Sequence, residues 1–271
     1  MHYEGAMSII SLIAYALIGS GAGFLAGLLG MSGGIVTVPC LLLVFTLMDF
    51  SSVHIMQLAM GTSLAAMVFN AISSTFSHHK DKAVNWGLVK TMLPGLILGC
   101  IAGAFISYLL PTSILKIIFG AFAVIVGLYF YRQRTLPDVE KRISPASMVV
   151  NIAGFGVSTL SNILGIGGGT MMVPLFIAFQ MPMSKAVASS AATGFIISLG
   201  GAISYLAFGL GETIYPHTLG FIYLPAFFIL SMMTFLAAPF GARMTHRIAS
   251  DKLKKYFAIC LIAVGIFIMM S

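Results

Sequence analysis

Two glycine-rich stretches interrupt long apolar runs of this sequence, and their residue types suit the binding of an anion. The first reads GLLGMSGGIVTVP over 27–39, and the second reads SNILGIGGGTMMVP over 161–174. Glycine adopts positive φ and lets another group approach the main chain closely. A helix that restarts after such a break presents unpaired N–H groups and the positive end of its dipole. Together these features bind an anion without any charged side chain.

Polar side chains flank both breaks and complete the predicted site. Ser32 lies within the first break and Asn162 shortly before the second, while Thr62 and Thr193 follow on the next apolar segment. A lone Ser or Thr in a membrane helix more often bonds to a carbonyl one turn earlier or packs as a small residue. Because these hydroxyls recur beside both breaks, we favour a polar cavity. The predicted substrate-binding residues are Ser32, Gly33, Gly34, Thr62, Ser63, Ser161, Asn162, Gly167, Gly168, Gly169 and Thr193.

The composition is that of an α-helical membrane protein. Hydrophobic residues make up 59% of the 271 residues and charged residues only 8%, whereas a soluble domain carries roughly 25% charged residues. Several apolar runs reach about 20 residues, the length that spans a hydrocarbon core. The runs are continuous rather than alternating, which argues against a β-barrel. We therefore predict an all-α polytopic membrane protein whose main partner is the lipid bilayer.

Ten apolar segments can be drawn along the chain. They cover 7–30, 34–48, 55–77, 87–110, 113–131, 146–165, 169–181, 185–208, 218–240 and 253–270. The second and seventh are short, and each is interpreted either as a full span or as a half-length or re-entrant helix. The expected number of full spans is therefore eight to ten.

The glycine breaks belong to a longer internal repeat. Matched pairs in the same order along the chain are Gly19 with Gly154, Pro39 with Pro174, Thr62 with Thr193, Pro94 with Pro225, and Gly127 with Gly265. The simplest account is a first repeat of five segments over 1–131, a cytoplasmic linker over 132–145, and a second repeat over 146–271. The alternative is an ancient duplication without mechanistic consequence.

The distribution of Lys and Arg predicts that the two halves are inverted. An odd number of crossings in each half forces opposite orientations, and we place both termini outside the cytoplasmic membrane. The basic segments near Lys82, Lys185 and Arg243 and the linker are then cytoplasmic, as the positive-inside rule requires. The loops at 48–54 and 208–217 contain no Lys or Arg and lie outside. Since the first eight residues also lack Lys and Arg, we expect the first run to stay as a span.

The residues do not indicate nucleic-acid binding, metal binding or catalysis. The net charge of +7 comes from short basic clusters between apolar runs, so we predict no nucleic-acid partner. Cys40, Cys100 and Cys260 stand alone and are interpreted as small buried hydrophobes. The six His residues do not pair at helical spacing, and His78-His79 is placed in a polar loop. We therefore predict no metal site, no cofactor and no catalytic residue set.

The sequence also suggests how transport is driven. No Asp, Glu, Arg or His lies well inside an apolar segment, whereas proton-coupled carriers usually keep such a relay. An anion leaving a cell that is negative inside gains about 2.3 kcal/mol per charge per 100 mV. The leading hypothesis is therefore a secondary carrier that exports a small anion. The alternatives are a passive anion channel, a carrier of another organic anion working in the uptake direction, an intramembrane enzyme and a scaffold subunit, and a homo-oligomer is possible.

The sequence resembles the TauE/SafE family of membrane proteins, which are known as sulfite exporters. The resemblance is carried by the glycine-rich pattern ahead of Val-Pro, present at Gly19–Pro39 and again at Gly154–Pro174. It continues through Ala59–Ser63, His78–Trp86, Leu93–Gly95, Leu115–Gly120 and Ala238–Arg243. It implies outward transport of a sulfur-containing anion such as sulfite, a sulfonate or sulfoacetate. The sequence departs from the pattern at Ser32, where glycine is usual, and at Asn162, where the first copy has Gly27.

Overall fold

A computed structural model of the chain describes residues 9–29, 33–50, 53–80, 82–132, 147–212, 215–244 and 250–270. Ten α-helices lie within these residues. They are α1 (Ile9–Leu29), α2 (Gly34–Leu47), α3 (Ile55–Lys80), α4 (Trp86–Leu109), α5 (Thr112–Arg132), α6 (Ser147–Leu164), α7 (Gly169–Ala178), α8 (Met183–Gly209), α9 (Leu224–Met244) and α10 (Ser250–Met270). Each coincides with one predicted apolar segment, so the all-α polytopic fold is confirmed. The proposed linker at 132–145 lies, apart from Arg132, outside the described residues.

Seven of the described helices are long and apolar enough to cross a membrane. Helices α2, α7 and α10 are not among them, and for α10 the apolar part counted is Lys255–Met270. At a rise of 1.5 Å per residue, the 14 residues of α2 cover about 21 Å and the 10 residues of α7 about 15 Å. A hydrocarbon core is about 30 Å thick. Of the two interpretations that the sequence left open, the structure therefore supports half-length helices at both positions.

Three local predictions are wrong. The segment predicted as helical from 218 begins as a β-hairpin, in which β1 (Thr218–Leu219) pairs antiparallel with β2 (Ile222–Tyr223). Gly220 lies in its turn with φ of +56°, a conformation that favours glycine. His78 and His79 lie in the last turn of α3 rather than in a loop. All three cysteines were predicted to be buried, but only Cys100 is, while Cys40 is intermediate and Cys260 is exposed on the surface of α10.

The main helix contacts are preserved when each of α1–α5 is exchanged with its counterpart in α6–α10. Helix α1 packs against α9 as α4 packs against α6, while α3 packs against its own counterpart α8 and α5 against α10. Helices α5 and α10 run antiparallel, because Gly120 lies against Gly265 and Gly127 against Ala258. Antiparallel contact between counterpart helices is the relation expected in an inverted repeat. The orientation of each half in a membrane stays a prediction.

The same turn ends both half-length helices. Asp49 follows α2 with φ of 55°, and Gln180 follows α7 with φ of 56°. In each case the next residue, Phe50 or Met181, donates its N–H to the carbonyl five residues earlier. The correspondence between the halves therefore extends to backbone geometry at positions where the side chains differ.

Glycines allow several helices to pack directly on a neighbouring main chain. A Cβ at Gly95, Gly99 or Gly103 of α4 would collide with carbonyl oxygens spaced one turn apart along Asn151–Thr159 of α6. On α1, a Cβ at Gly23 would lie 2.6 Å from the carbonyl oxygen of Thr234 on α9. These are small-residue contacts of the kind that bring membrane helices together. They hold the long helices around the two short ones.

Candidate functional site

The second glycine break lies between the end of α6 and the start of α7 and is completely buried. Gly165, Gly167 and Gly168 have φ of +68°, +64° and +81°. Side chains with a Cβ rarely adopt this region, so the three glycines are needed to turn the main chain here. A Cβ would also collide with Met60 at Gly165 and with Ile197 at Gly168.

The turn leaves main-chain N–H groups pointing away from the usual helical acceptors. Gly169 donates to the carbonyl of Gly167, and both Met171 and Met172 donate to the carbonyl of Gly168. Within the described part of the chain, the N–H groups of Gly167 and Gly168 have no acceptor. Buried N–H groups are nearly always paired in folded proteins. Two adjacent buried donors at a helix start are therefore available to a ligand.

The first break is described from Gly33 onward, and Ser32 lies outside the described residues. Gly33 caps α2 with helical φ and ψ of −63° and −9° and uses no side-chain bond. Its carbonyl accepts the N–H groups of Val36 and Thr37 and, at 3.0 Å, the hydroxyl of Thr37. The first turn of α2 thus forms a regular helix start, like that of α7.

The start of α2 meets the second break inside the protein. A Cβ on Gly34 would lie 2.7 Å from Cα of Ile166 and 2.8 Å from the carbonyl oxygen of Gly165. It would also lie 2.6 Å from the methyl carbon of Met67 on α3. The start of α2 is therefore in direct main-chain contact with the second break. The fold therefore brings the two breaks together.

Two of the predicted hydroxyls on α3 make long-range structural bonds. Ser63 donates to the carbonyl oxygen of Gly165 at 3.0 Å. Thr62 accepts the main-chain N–H of Tyr223 at 2.9 Å and so attaches the hairpin before α9. Both side chains are fully buried. Ser63 is thus part of the break region, and Thr62 faces the hairpin.

The predicted residues at the end of α6 are also buried. The side-chain N–H of Asn162 donates to the carbonyl of Ser158 at 2.9 Å, and its main-chain carbonyl accepts the hydroxyl of Tyr205 at 2.9 Å. Its side-chain oxygen has no partner among the described residues. Ser161 makes a long contact of 3.9 Å with the sulfur of Met171.

The hydroxyl of Thr193 bonds back to its own helix, which is the alternative to a polar cavity that the sequence left open. Its side chain bonds back to the carbonyls of Ser189 and Ser190 in its own helix, at 3.2 and 3.1 Å. The next residue, Gly194, lies close to the second break, since its Cβ would be 3.1 Å from the carbonyl of Gly167. Thr193 thus lies one residue from a glycine that approaches the second break, and its hydroxyl is bonded within its own helix.

Sequence reasoning missed residues of α3 and α8 that surround the second break. Ser198 places its hydroxyl 2.8 Å from where a Cβ of Gly167 would be, and Met67 contributes its sulfur at 3.0 Å. Tyr205 is fully buried. A tyrosine inside an apolar run is a usable signal, because a buried phenol normally requires a hydrogen-bond acceptor. Methionine gives no such signal, because it is common in apolar cores.

Two large cavities lie at the ends of the helices, and neither is lined by the glycine breaks. One, of about 790 Å³, is lined by 82–88, Thr91, Ser147, Val150, 179–182 and Lys185. The other, of about 620 Å³, is lined by Val53, His54, Gln57, 108–113, Lys116, Ile117 and Met269. We refer to them as the Lys82–Lys185 cavity and the Lys116 cavity. His54 lines the Lys116 cavity, and its Nε2 lies 3.7 Å from Oε2 of Glu212.

An aromatic cluster of Tyr15, Phe45, Phe50, Tyr215 and Tyr223 closes the region around the end of α2. Phe50 stacks on Tyr215 with ring centroids 4.2 Å apart and on Phe45 at 5.0 Å. Tyr223 meets Phe45 and Phe50 edge-on at 5.7 and 5.3 Å. Tyr15 completes the cluster at 6.2 Å from Tyr223. These side chains pack against one another between the helices and the hairpin.

Comparison with known proteins places this architecture in a family. The sequence model of sulfite exporter TauE/SafE matches residues 15–268. A probable membrane transporter protein of Haemophilus influenzae is 35% identical over 253 residues, which cover 92% of this chain and 95% of that protein. One from Methanocaldococcus jannaschii is 28% identical over 258 residues, 94% of each chain. No solved structure matches the chain. The chain therefore belongs to the sulfite exporter TauE/SafE family and is an integral membrane transporter.

Proposed function

We propose that this protein is a secondary carrier that exports a small sulfur-containing anion, such as sulfite, a sulfonate or sulfoacetate, across the cytoplasmic membrane. The observation that carries the proposal is the contact between the start of α2 at Gly34 and the break at Gly165–Gly169. Two half-length helices begin there, and two buried N–H groups lack an acceptor among the described residues. The family membership supports the substrate class.

The binding chemistry relies on the main chain. The N–H groups of Gly167 and Gly168 donate to the anion's oxygens, and the dipoles of α2 and α7 place positive potential at the same point. The hydroxyl of Ser198 lies next to Gly167 and adds a further donor. Because no cationic side chain is involved, the anion is held weakly enough to leave again. Ser32, Ser161, Asn162 and Thr193 remain proposed contributors to the same site.

Transport requires access to the site from each side in turn. The two five-helix halves rock against each other in this proposal, as in other transporters built from inverted repeats. In this proposal the aromatic cluster closes the path between the breaks and the end assigned outside, and the Lys82–Lys185 cavity lies at the end assigned to the cytoplasm by its basic residues. The Lys116 cavity also lies at the outer end, but neither cavity is lined by the glycine breaks. Because these two cavities form no continuous path through the breaks, they support a carrier over a channel. Both termini lie outside in this proposal.

Export of an anion in this proposal is driven by the membrane potential. The charged side chains among the described residues lie at the ends of helices or in loops, so none is placed to relay protons past the breaks. A potential that is negative inside contributes about 2.3 kcal/mol per charge per 100 mV. Efflux of labelled sulfite from proteoliposomes should follow an imposed potential and ignore an imposed pH gradient. The opposite pattern contradicts uncoupled export.

The site is tested by comparing two glycine variants of the purified protein in proteoliposomes. Gly168→Val forces a β-branched residue into φ of +81° and against Ile197, so we expect sulfite efflux to be lost. Gly156→Val on α6 is the matched control, because nothing lies within 4 Å of its Cβ, and it should transport normally. Both variants should insert into the membrane. Wild-type efflux by Gly168→Val overturns the site, and a wild-type protein that moves none of the sulfur anions overturns the substrate class.

A further inference from the structure

The Lys82–Lys185 cavity lies where three helices begin. The first residues of α4 and α6, Trp86 and Ser147, line it, and so does Pro182, which caps α8. Each helix start contributes the positive end of a dipole, which favours an anion within the first turn. The potentials of three such ends add at this one cavity.

The side chains of the cavity reinforce this potential. The charged side chains among its described lining residues are Lys82 and Lys185, and neither forms an ion pair within the described part of the chain. Polar groups surround them, including the amide of Asn85, which accepts the N–H of Leu88. The side-chain oxygen of Gln180 is buried without a partner among the described residues, and a rotation of the amide by 180° places its N–H₂ group at the same position. The cavity offers donors and positive charge together.

The counterpart of this cavity in the first half of the chain is filled. Val150, on the cavity wall, corresponds to Tyr15, since each lies four residues before the matched glycines of α6 and α1. Met181, after the turn that ends α7, corresponds to Phe50 after α2. In the first half these positions carry the aromatic cluster. These matched positions are therefore filled by aromatic side chains in the first half, whereas they line an open cavity in the second half.

We propose that the Lys82–Lys185 cavity is a second anion-binding site, which collects the oxyanion before it reaches the glycine breaks. Its proposed ligand is a small sulfite-like or sulfonate oxyanion, and this identity rests on the proposed function. The volume of about 790 Å³ accommodates such an ion with bound water. The ion binds by charge and hydrogen bonds at the mouth, leaves most of its water at the cavity, and continues to the main-chain donors. The phosphate of a lipid headgroup shares this chemistry, so the experiment separates the two sources.

Trp86 provides a direct measurement, because it is the single tryptophan of the sequence and lines the cavity. Its indole N–H donates to His79 at 3.1 Å. The purified full chain in detergent is titrated with sodium sulfite and sodium sulfate at constant ionic strength, with sodium chloride as the balancing salt. We expect a saturable change in Trp86 emission. In the double variant Lys82→Gln/Lys185→Gln, the apparent Kd should rise roughly threefold to thirtyfold.

Two further variants control the result. Lys116→Gln removes a lysine from the other cavity and should leave the Kd unchanged. The charge-preserving Lys82→Arg/Lys185→Arg should bind within about twofold of the wild type, which separates loss of charge from misfolding. An emission change that does not saturate, or that is unaltered in the Gln variant, overturns the site. So does a response to dioctanoyl phosphatidylglycerol without one to sulfite or sulfate.

The readout distinguishes this inference from the transport proposal. A saturable Trp86 response without sulfite efflux from proteoliposomes retains the cavity as a binding site and rejects the carrier function. Sulfite efflux with no saturable Trp86 response retains the carrier and rejects the second site.

Discussion

The hydroxyl of Ser63 on α3 donates a 3.0 Å hydrogen bond to the carbonyl oxygen of Gly165 at the second glycine break. The two residues belong to different halves of the chain, and Ser63 is fully buried. Helix α3 thereby holds the break in its left-handed conformation. The bond ties the geometry of the proposed site to the packing of the central helices.

Replacing Ser63 by Ala should loosen the break. The carbonyl of Gly165 loses its buried donor, which costs about 1–3 kcal/mol, and the turn that orients Gly167 becomes less well held. We expect a lower melting temperature in detergent and a reduced rate of sulfite efflux. Ser204→Ala is the matched control, because Ser204 only bonds back to the carbonyl of Gly200 in its own helix. If Ser63→Ala and Ser204→Ala lower the melting temperature and the efflux rate equally, the Ser63 bond has no special role.

A methyl group at Gly34 should disturb the contact between the two breaks. The added Cβ would meet the main chain of Gly165 and Ile166, which cannot rotate away as a side chain can. We expect Gly34→Ala to reduce efflux strongly and to lower thermal stability. Gly21→Ala on α1 meets nothing within 4 Å and should gain up to about 1 kcal/mol from helix propensity. Normal transport by Gly34→Ala would argue that the two helix starts can separate without loss of function.

The breaks themselves could be predicted from sequence, but their contact could not. A run such as Gly167–Gly169 exceeds what helix packing needs, so it marks a break without further information. The contact of Gly34 with Gly165 depends on how α2, α3 and α7 pack, which one sequence does not specify. The apolar segments were found because long continuous runs leave few alternatives. The hairpin at 218–223 was missed because Phe221, Ile222 and Tyr223 are as apolar as the helix that follows.

The shared cavity of Lys82 and Lys185 is a second feature that the sequence does not predict. Lys82 and Lys185 were interpreted only as signals of orientation, since positive charge in a short loop is sufficient for that purpose. That they line one cavity follows from the positions of α4, α6 and α8, which are separated in the sequence. Thr193 shows the converse case, because its position beside the break was predicted and its back-bonded hydroxyl was not.

Removing Phe50 should weaken the closure of the aromatic cluster. Phe50 stacks on both Phe45 and Tyr215, and each aromatic pair contributes roughly 0.5–1.5 kcal/mol. Because Phe50 is also buried, Phe50→Ala should lower stability by about 3–5 kcal/mol and allow sulfite to leak through proteoliposomes without saturation. Phe228→Ala is the control, because that ring is 64% exposed and should have little effect on either quantity. If efflux by Phe50→Ala stays saturable and shows no leak, the outer closure lies elsewhere.

The twin residues Thr62 and Thr193 should respond differently to the same substitution. Thr62→Val keeps the shape of the side chain but removes the acceptor for the buried N–H of Tyr223, which costs about 1–3 kcal/mol. Thr193→Val removes only bonds to its own helix, so its stability should change little. Thermal unfolding of both variants measures this difference directly.

Transport kinetics of the same two variants then decide whether Thr193 contacts the anion. If the hydroxyl of Thr193 reorients towards the substrate during transport, Thr193→Val raises the KM for sulfite while the melting temperature stays unchanged. If the hydroxyl serves its own helix throughout, both quantities stay at the wild-type value and Thr193 leaves the proposed site. For Thr62→Val we expect the reverse pattern, with reduced stability and an unchanged KM in the fraction that remains folded, because its hydroxyl faces the hairpin and not the break.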